Sequence, residues 1–226
     1  MRFTTILMDA DDTIFDFPVC EYGALKATLV QAGYEVNDEI YRNFSSINDA
    51  LWKQFEIKKI TRAELKIQRF RELIKRCLDG FDNAEMLAEC YVTELSKQAV
   101  LIDGAYESIR SISRCCDIYV ITNGISAVQH GRFDRSKVTE YIRKIYISDE
   151  IGIQKPQREF FDYVLDDIGE KDKSNILVVG DSLTSDMQGG KNAALFTCLY
   201  DPQHKVEMPH PLCDFRIDTL DSILTI

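Results

Sequence analysis

The stretch Phe3-Thr4-Thr5-Ile6-Leu7-Met8-Asp9-Ala10-Asp11-Asp12-Thr13 is an apolar run that stops abruptly at a group of carboxylates. A short apolar segment bounded by turn-prone acidic residues predicts a buried strand whose C-terminal end is acidic. Two later segments repeat the pattern. Ile118-Tyr119-Val120-Ile121 ends at Thr122-Asn123-Gly124, and Ile176-Leu177-Val178-Val179 ends at Gly180-Asp181. Further short strands are expected at 144–147, at 196–199 and around Phe215 and Ile217. Helical patterns fill the intervals at 105–113, 159–168 and 184–193, with a last one around Leu220. Strands alternating with helices predict an α/β fold whose mostly parallel sheet is covered on both faces.

Residues 18–98 interrupt that alternation with helical periodicity alone. Gly33-Tyr34, Lys58-Lys59-Ile60-Thr61 and Asp79-Gly80-Phe81-Asp82 punctuate the block into about four helices. Thr61, with Glu64 three residues on, predicts a capping box, and Asp82 or Asn83 is the expected cap of the next helix. The block is too long for a simple crossover connection. It reads as an inserted helical domain over 17–98, with 1–16 and 99–226 forming the α/β core.

The whole chain sets limits on partners. It has 226 residues, enough for one sizeable core or a core with an insertion. Thirty-seven acidic against 27 basic side chains give a formal charge of −10, which argues against nucleic-acid polymers and anionic membranes. A local basic pocket for a small phosphorylated substrate remains compatible with that surface. The seven cysteines include no C-x-x-C pair, so free thiols in a reducing cytoplasm are expected. No segment approaches the roughly 20 apolar residues of a membrane helix. The three histidines, His130, His204 and His210, show no metal-ligand spacing.

Ligands of open parallel sheets bind outside the carboxyl ends of the strands. If the three strands are neighbours, Asp9, Asp11, Thr122, Asn123, Gly124, Asp181 and Asp186 converge on one crevice. Gly152-Ile153-Gln154-Lys155-Pro156 adds a lysine from a loop just before a helix. Three or four carboxylates in one cleft repel each other without a cation, and hard oxygen ligands suit magnesium. A lysine and a hydroxyl opposite them suit a phosphoryl group. A carboxylate can attack phosphorus to give an acyl phosphate, and a second one can protonate the leaving oxygen and then activate water.

Asp9-x-Asp11-x-Thr13, Thr122, Lys155 and Gly180-Asp181-x-x-x-x-Asp186 resemble, in order, the four motifs of the haloacid dehalogenase-like hydrolases. That resemblance implies a Rossmann-like core with a helical cap, magnesium as cofactor, and a role for each matching position. Asp9 is the implied nucleophile and a metal ligand. Asp11 is the implied general acid/base and gives its backbone carbonyl to the metal. Thr122 and Lys155 bind the phosphoryl group, Lys155 also offsetting the charge of Asp9. Asp181 is a metal ligand, and Asp186 a further metal-site carboxylate, direct or through water. Asn123 and Gly124 are expected to offer backbone amides to phosphate oxygens. An aspartate at position 11 points to phosphatases rather than dehalogenases, because an alkoxide leaving group needs a proton.

A narrower resemblance extends into the helical block. Asp12, Phe15, Phe17, Asn48-x-x-Leu51-Trp52, Ile60-Thr61-x-x-x-Leu65-x-x-x-Arg69-Phe70, Thr122-Asn123-Gly124 and Gly189-Gly190-x-Asn192-Ala193 are similar to the noncanonical pyrimidine nucleotidases. It implies removal of the 5′-phosphate from pyrimidine nucleoside monophosphates. A cytoplasmic protein, monomer or homodimer, is expected. The alternatives are a phosphatase for a sugar phosphate or other small metabolite, a phosphotransferase or mutase, and a non-catalytic binding protein. Residues 127–138 are the least familiar part of the core. Asp12 reads as a loop-stabilising residue. Trp52 and Phe70 read as core rather than base-stacking residues. Arg62, Arg69 and Arg71 suit either a phosphate or sugar contact or a surface ion pair.

Overall fold

The structure, a computed structural model, describes residues 2–79 and 83–226. The chain divides into two compact units, one running to Phe17 and resuming at Ala99–Ile226, the other Pro18–Gln98. No helix among the described residues is long and apolar enough to cross a membrane.

The second unit is helical. Helix α1 (Phe17–Gln31) is followed by α2 (Asp38–Glu56), α3 (Arg62–Cys77) and α4 (Ala84–Leu95). Asn37 caps α2 by accepting from the Ile40 amide. Thr61 and Glu64 form the expected capping box at α3, and Asn83 accepts from Met86 N at the start of α4. The turn residues Gly80, Phe81 and Asp82, including the alternative cap Asp82, lie outside the described residues. Phe44, Phe70 and Tyr91 pack with ring centroids 5.1–5.6 Å apart, so Phe70 is a core residue. Trp52 meets Phe55 edge-on at 5.5 Å.

This core contains buried charge. Arg69 is neither on the surface nor ion-paired there, because it lies at a core-facing position between Leu65 and Leu73. Its guanidinium stands 4.2 Å from the Tyr91 ring centroid and Nη1 donates to Asn48 Oδ1 at 3.4 Å. Asn48 Nδ2 in turn donates to Glu21 Oε1 at 2.9 Å. By contrast, Arg71 pairs with exposed Glu85 and Arg62 stacks on Phe55. Burial pushes the Glu21 pKa from 4.5 to about 7, outweighing hydrogen bonds from Ser45 and Asn48. A carboxyl that binds its proton more tightly when folded adds stability below its unfolded pKa. That contribution is lost as pH rises through the folded value. Between about pH 5 and pH 8 the loss amounts to roughly 2–3 kcal/mol. Urea unfolding at the two pH values is expected to show this extra loss in the native protein and not in Glu21→Gln. Parallel pH profiles for the two proteins would mean that Glu21 is ionised in the fold.

The first unit is a six-stranded sheet of β1 (Thr5–Met8), β2 (Asp117–Thr122), β3 (Ile142–Ile147), β4 (Ile176–Gly180), β5 (Phe196–Tyr200) and β6 (Phe215–Ile217). The order is β3-β2-β1-β4-β5-β6 and every pair is parallel. This is the Rossmann-like α/β architecture. Helices α5 (Ala105–Ile112), α6 (Ser126–Arg135), α7 (Ser148–Ile151), α8 (Arg158–Ile168) and α9 (Gln188–Asn192) connect the strands. Alternate side chains go to opposite faces, as strand geometry requires. Ile6, Met8, Val120, Leu177 and Val179 pack with Ala105, Ile109 and Ile112 of α5 on one face. Leu7, Ile121 and Val178 pack with Phe160, Phe161, Val164 and Leu165 of α8 on the other. Central β1 pairs Met8 with Val120 on one side and with Val179 on the other. Strand order reverses at β1, so the crevice beyond its carboxyl end is the place where such a sheet binds ligands.

Candidate active site

Because β1, β2 and β4 are adjacent and in register, the residues that follow them meet. Asp9 continues β1, its amide donating to Val179 O at 2.8 Å. Thr122 ends β2, buried, with Oγ1 accepting from Gly124 N at 3.0 Å. Asp181 follows β4. Asp186 is turned back toward the strand by a wide turn over Leu183–Met187, closed by Met187 N donating to Ser182 O. Ser182 Oγ caps that turn by accepting from Ser185 N. Asp186 then lies against Gly180, where any Cβ would come within 2.3 Å of its Oδ2. Only a residue without a side chain fits at that strand end.

Lys155 is the centre of the arrangement. Its fully buried ammonium donates to Asp9 Oδ1 and Asp186 Oδ1, each at 2.6 Å, and to Ile121 O at 2.9 Å. All three N–H donors are therefore used. Burial works against the charged ammonium, but Asp186 and Asp9 more than offset this and hold its pKa above the ordinary value. Burial, then the charge of Asp186, raises Asp9 to about 7 against the opposing pull of Lys155. Crowding by protein atoms and the charges of Asp9 and Asp186 also push Asp181 well above the usual carboxylate range. Asp181 is exposed to solvent, so its charged neighbours matter more than its desolvation.

One lysine does not balance this much negative charge. Carboxylate oxygens of Asp9, Asp181 and Asp186 all lie within 4.8 Å of one another. Three hard oxygen donors so close, one of them facing solvent, fit a divalent cation of the magnesium type. Repulsion from neighbouring carboxylates adds to burial in raising the proton affinities of Asp9 and Asp181, a sign of the same lack of positive charge.

The remaining residues named from the sequence have distinct surroundings. The Asn123 side chain ties two loops together, with Nδ2 donating to Lys155 O and Oδ1 accepting from Lys155 N, each at 2.9 Å. Gly124 gives its amide to Thr122, as above. Asp12 adopts a left-handed backbone with φ of 57°. Aspartate tolerates that conformation better than most residues. His130 and His204 are exposed and pair with Glu150 and Asp218.

Two residues here were missed in the sequence. Asp11 accepts from Gln129 Nε2 at 2.7 Å through Oδ2, and from Arg132 Nη1 through Oδ1. Both partners lie on α6, where Val128, Gln129, Arg132 and Phe133 form the buried face. The signal was available: a helix with glutamine and arginine at core-facing spacing, directly after the loop that follows β2.

The geometry agrees with what the chain is similar to. Residues 6–199 match the family model of the haloacid dehalogenase-like hydrolases. The pyrimidine 5′-nucleotidase PynA of Streptococcus pneumoniae is 36% identical over 206 residues, covering 90% of this chain and 86% of its own length. The pyrimidine 5′-nucleotidase YjjG of Escherichia coli is 31% identical over 207 residues, covering 91% and 89%. The crystal structure of the HAD-hydrolase YfnB from Bacillus subtilis, solved bound to magnesium, superposes with a TM-score of 0.92 at 33% identity, covering 100% of this chain and 98% of that one. The chain thus belongs to the haloacid dehalogenase-like hydrolase family as an enzyme, and within that family it resembles the pyrimidine 5′-nucleotidases.

Proposed function

We propose that the protein is a magnesium-dependent phosphomonoester hydrolase that forms an aspartyl phosphate on Asp9, with pyrimidine nucleoside monophosphates as its substrates. One observation carries the reading: Asp9 and Asp186 share buried Lys155 at the carboxyl end of the central strand, with Asp181 beside them and Asp11 two residues from Asp9. The similarity to two pyrimidine 5′-nucleotidases supports the choice of substrate.

Asp9, Asp181 and Asp186 are the residues that would hold the cation, with the backbone carbonyl of Asp11. When bound it neutralises these carboxylates and draws the phosphoryl oxygens toward them. Lys155 fixes Asp9 and lowers the repulsion between its carboxylate and an approaching phosphate. A carboxylate oxygen of Asp9 attacks phosphorus, the P–O bond to the alcohol breaks, and Asp11 gives its proton to the departing oxygen. Asp11, now ionised, takes a proton from water. The water oxygen bonds to phosphorus, the acyl phosphate breaks, and inorganic phosphate leaves with Asp9 restored. Thr122 stands at the end of β2, where its hydroxyl can donate to a phosphoryl oxygen. Most of the rate comes from positioning and charge neutralisation.

A panel of phosphomonoesters, assayed with magnesium and after chelation, tests this. Uridine and thymidine monophosphates are expected to be hydrolysed in preference to purine monophosphates and sugar phosphates, and chelation to abolish release from all of them. Faster release from sugar phosphates would replace the substrate assignment and leave the Asp9 chemistry in place. Full activity after exhaustive chelation would remove the metal from the account.

A further inference from the structure

We propose that Gln129 and Arg132 are positioning residues that hold the carboxylate of Asp11 in its working orientation. This rests on the reading of Asp11 as the acid/base group given above. Asp11 lies in a loop beyond β1 with its side chain 29% exposed, so it is open to substrate and water. A short side chain in such a place rotates freely about two torsions unless both carboxylate oxygens are held. Here each oxygen has its own donor, Gln129 for Oδ2 and Arg132 for Oδ1.

The donors are themselves fixed. The Arg132 side chain is fully buried and its guanidinium lies 4.2 Å from the Phe15 ring centroid. Phe15 packs edge-on against Phe133 at 4.9 Å and forms a backbone bridge with Asp11. Gln129 is buried, and its amide nitrogen occupies the space a Cβ on Gly124 would need, only 2.2 Å away. The glycine that follows Thr122 and Asn123 therefore admits the side chain that reaches Asp11. A buried guanidinium requires a charged or well-bonded partner. A chain building only a core would place an apolar residue at position 132, beside Phe133.

Arg132→Lys and Gln129→Leu, assayed beside Asp11→Asn, test the proposal. Two substrates are needed, an alkyl phosphate and p-nitrophenyl phosphate, whose leaving group departs without a proton. With the alkyl ester, kcat is expected to fall about 10- to 100-fold with KM little changed, part of the roughly 10²- to 10⁴-fold that a positioned acid/base group contributes. With p-nitrophenyl phosphate each variant is expected to release one equivalent of nitrophenol in a fast burst, then turn over slowly as the phosphorylated enzyme waits for activated water. Far-UV circular dichroism establishes that each variant is folded. Burst and steady-state rates falling together in both variants would show that the residues only support the core, overturning the proposal. Faster alkyl-ester turnover would also overturn it, because the contacts would then restrain Asp11. If Asp11→Asn shows the burst pattern and the α6 variants do not, the acid/base reading stands and this inference fails. If Asp11→Asn turns over both esters like the native protein, the underlying reading fails.

Discussion

Asp9→Asn is expected to reduce phosphate release by about 10⁴-fold or more, the scale seen when a covalent nucleophile is removed. The amide is nearly the same size as the carboxylate and cannot attack phosphorus. Lys155 keeps its bonds to Asp186 and to Ile121 O, so the centre retains most of its contacts. Substrate binding is expected to survive, because Lys155 and Thr122 are unchanged and the new side chain is neutral. Steady-state assays with circular dichroism and a titration of bound nucleotide separate these effects. Native turnover in a folded Asp9→Asn protein would remove the nucleophile from the account.

Lys155→Met is expected to damage both activity and stability. Methionine keeps the length of the side chain and removes the charge. Asp9 and Asp186 then face each other across a buried space with no cation between them, and Ile121 O loses a donor. Removing one partner of a buried charge cluster costs about 3–5 kcal/mol. Loss of a group that neutralises developing charge lowers kcat by about 10²–10³-fold. The stability loss is expected to be smaller in magnesium, because a cation on the same carboxylates replaces part of the missing charge. Thermal unfolding of both proteins with and without magnesium checks this. Arginine is not expected to rescue, since its planar fork does not match three acceptors converging on one point. A Lys155→Met protein as stable as the native one without magnesium would show that Lys155 does not hold the carboxylates together.

The sheet was legible because its strands are short apolar runs that stop at polar residues. Those stops also revealed the crevice: once β1, β2 and β4 are neighbours, Asp9, Thr122 and Asp181 must converge. Asp186 was found as a residue, but its placement was not. The helix read over 184–193 begins with a wide turn over Leu183–Met187, and that turn brings Asp186 back against Gly180 and Lys155. Arg69 and Arg132 were harder to read, for one shared reason. A charged residue inside an apolar helical stripe is normally assigned to solvent, yet both are buried and stacked on aromatic rings. Leu65, Arg69 and Leu73 share one spacing, as do Val128 and Arg132, and that periodicity was the one local cue that both arginines face inward. Their partners lie on other elements of the chain and no local pattern points to them. The same holds for Glu21, whose burial depends on α2 and α3 rather than on its own helix.

The central claim is that the phosphoryl group passes through Asp9, and a covalent adduct tests it most directly. The enzyme would be mixed with substrate and magnesium, quenched in acid within one turnover, and its peptides analysed by mass spectrometry, in native and Asp11→Asn forms. A phosphoryl adduct on the peptide carrying Asp9, longer-lived in Asp11→Asn and absent in Asp9→Asn, is the predicted result. Phosphate release at the native rate with no adduct at any quench time would mean that water attacks the ester directly, and would contradict the account.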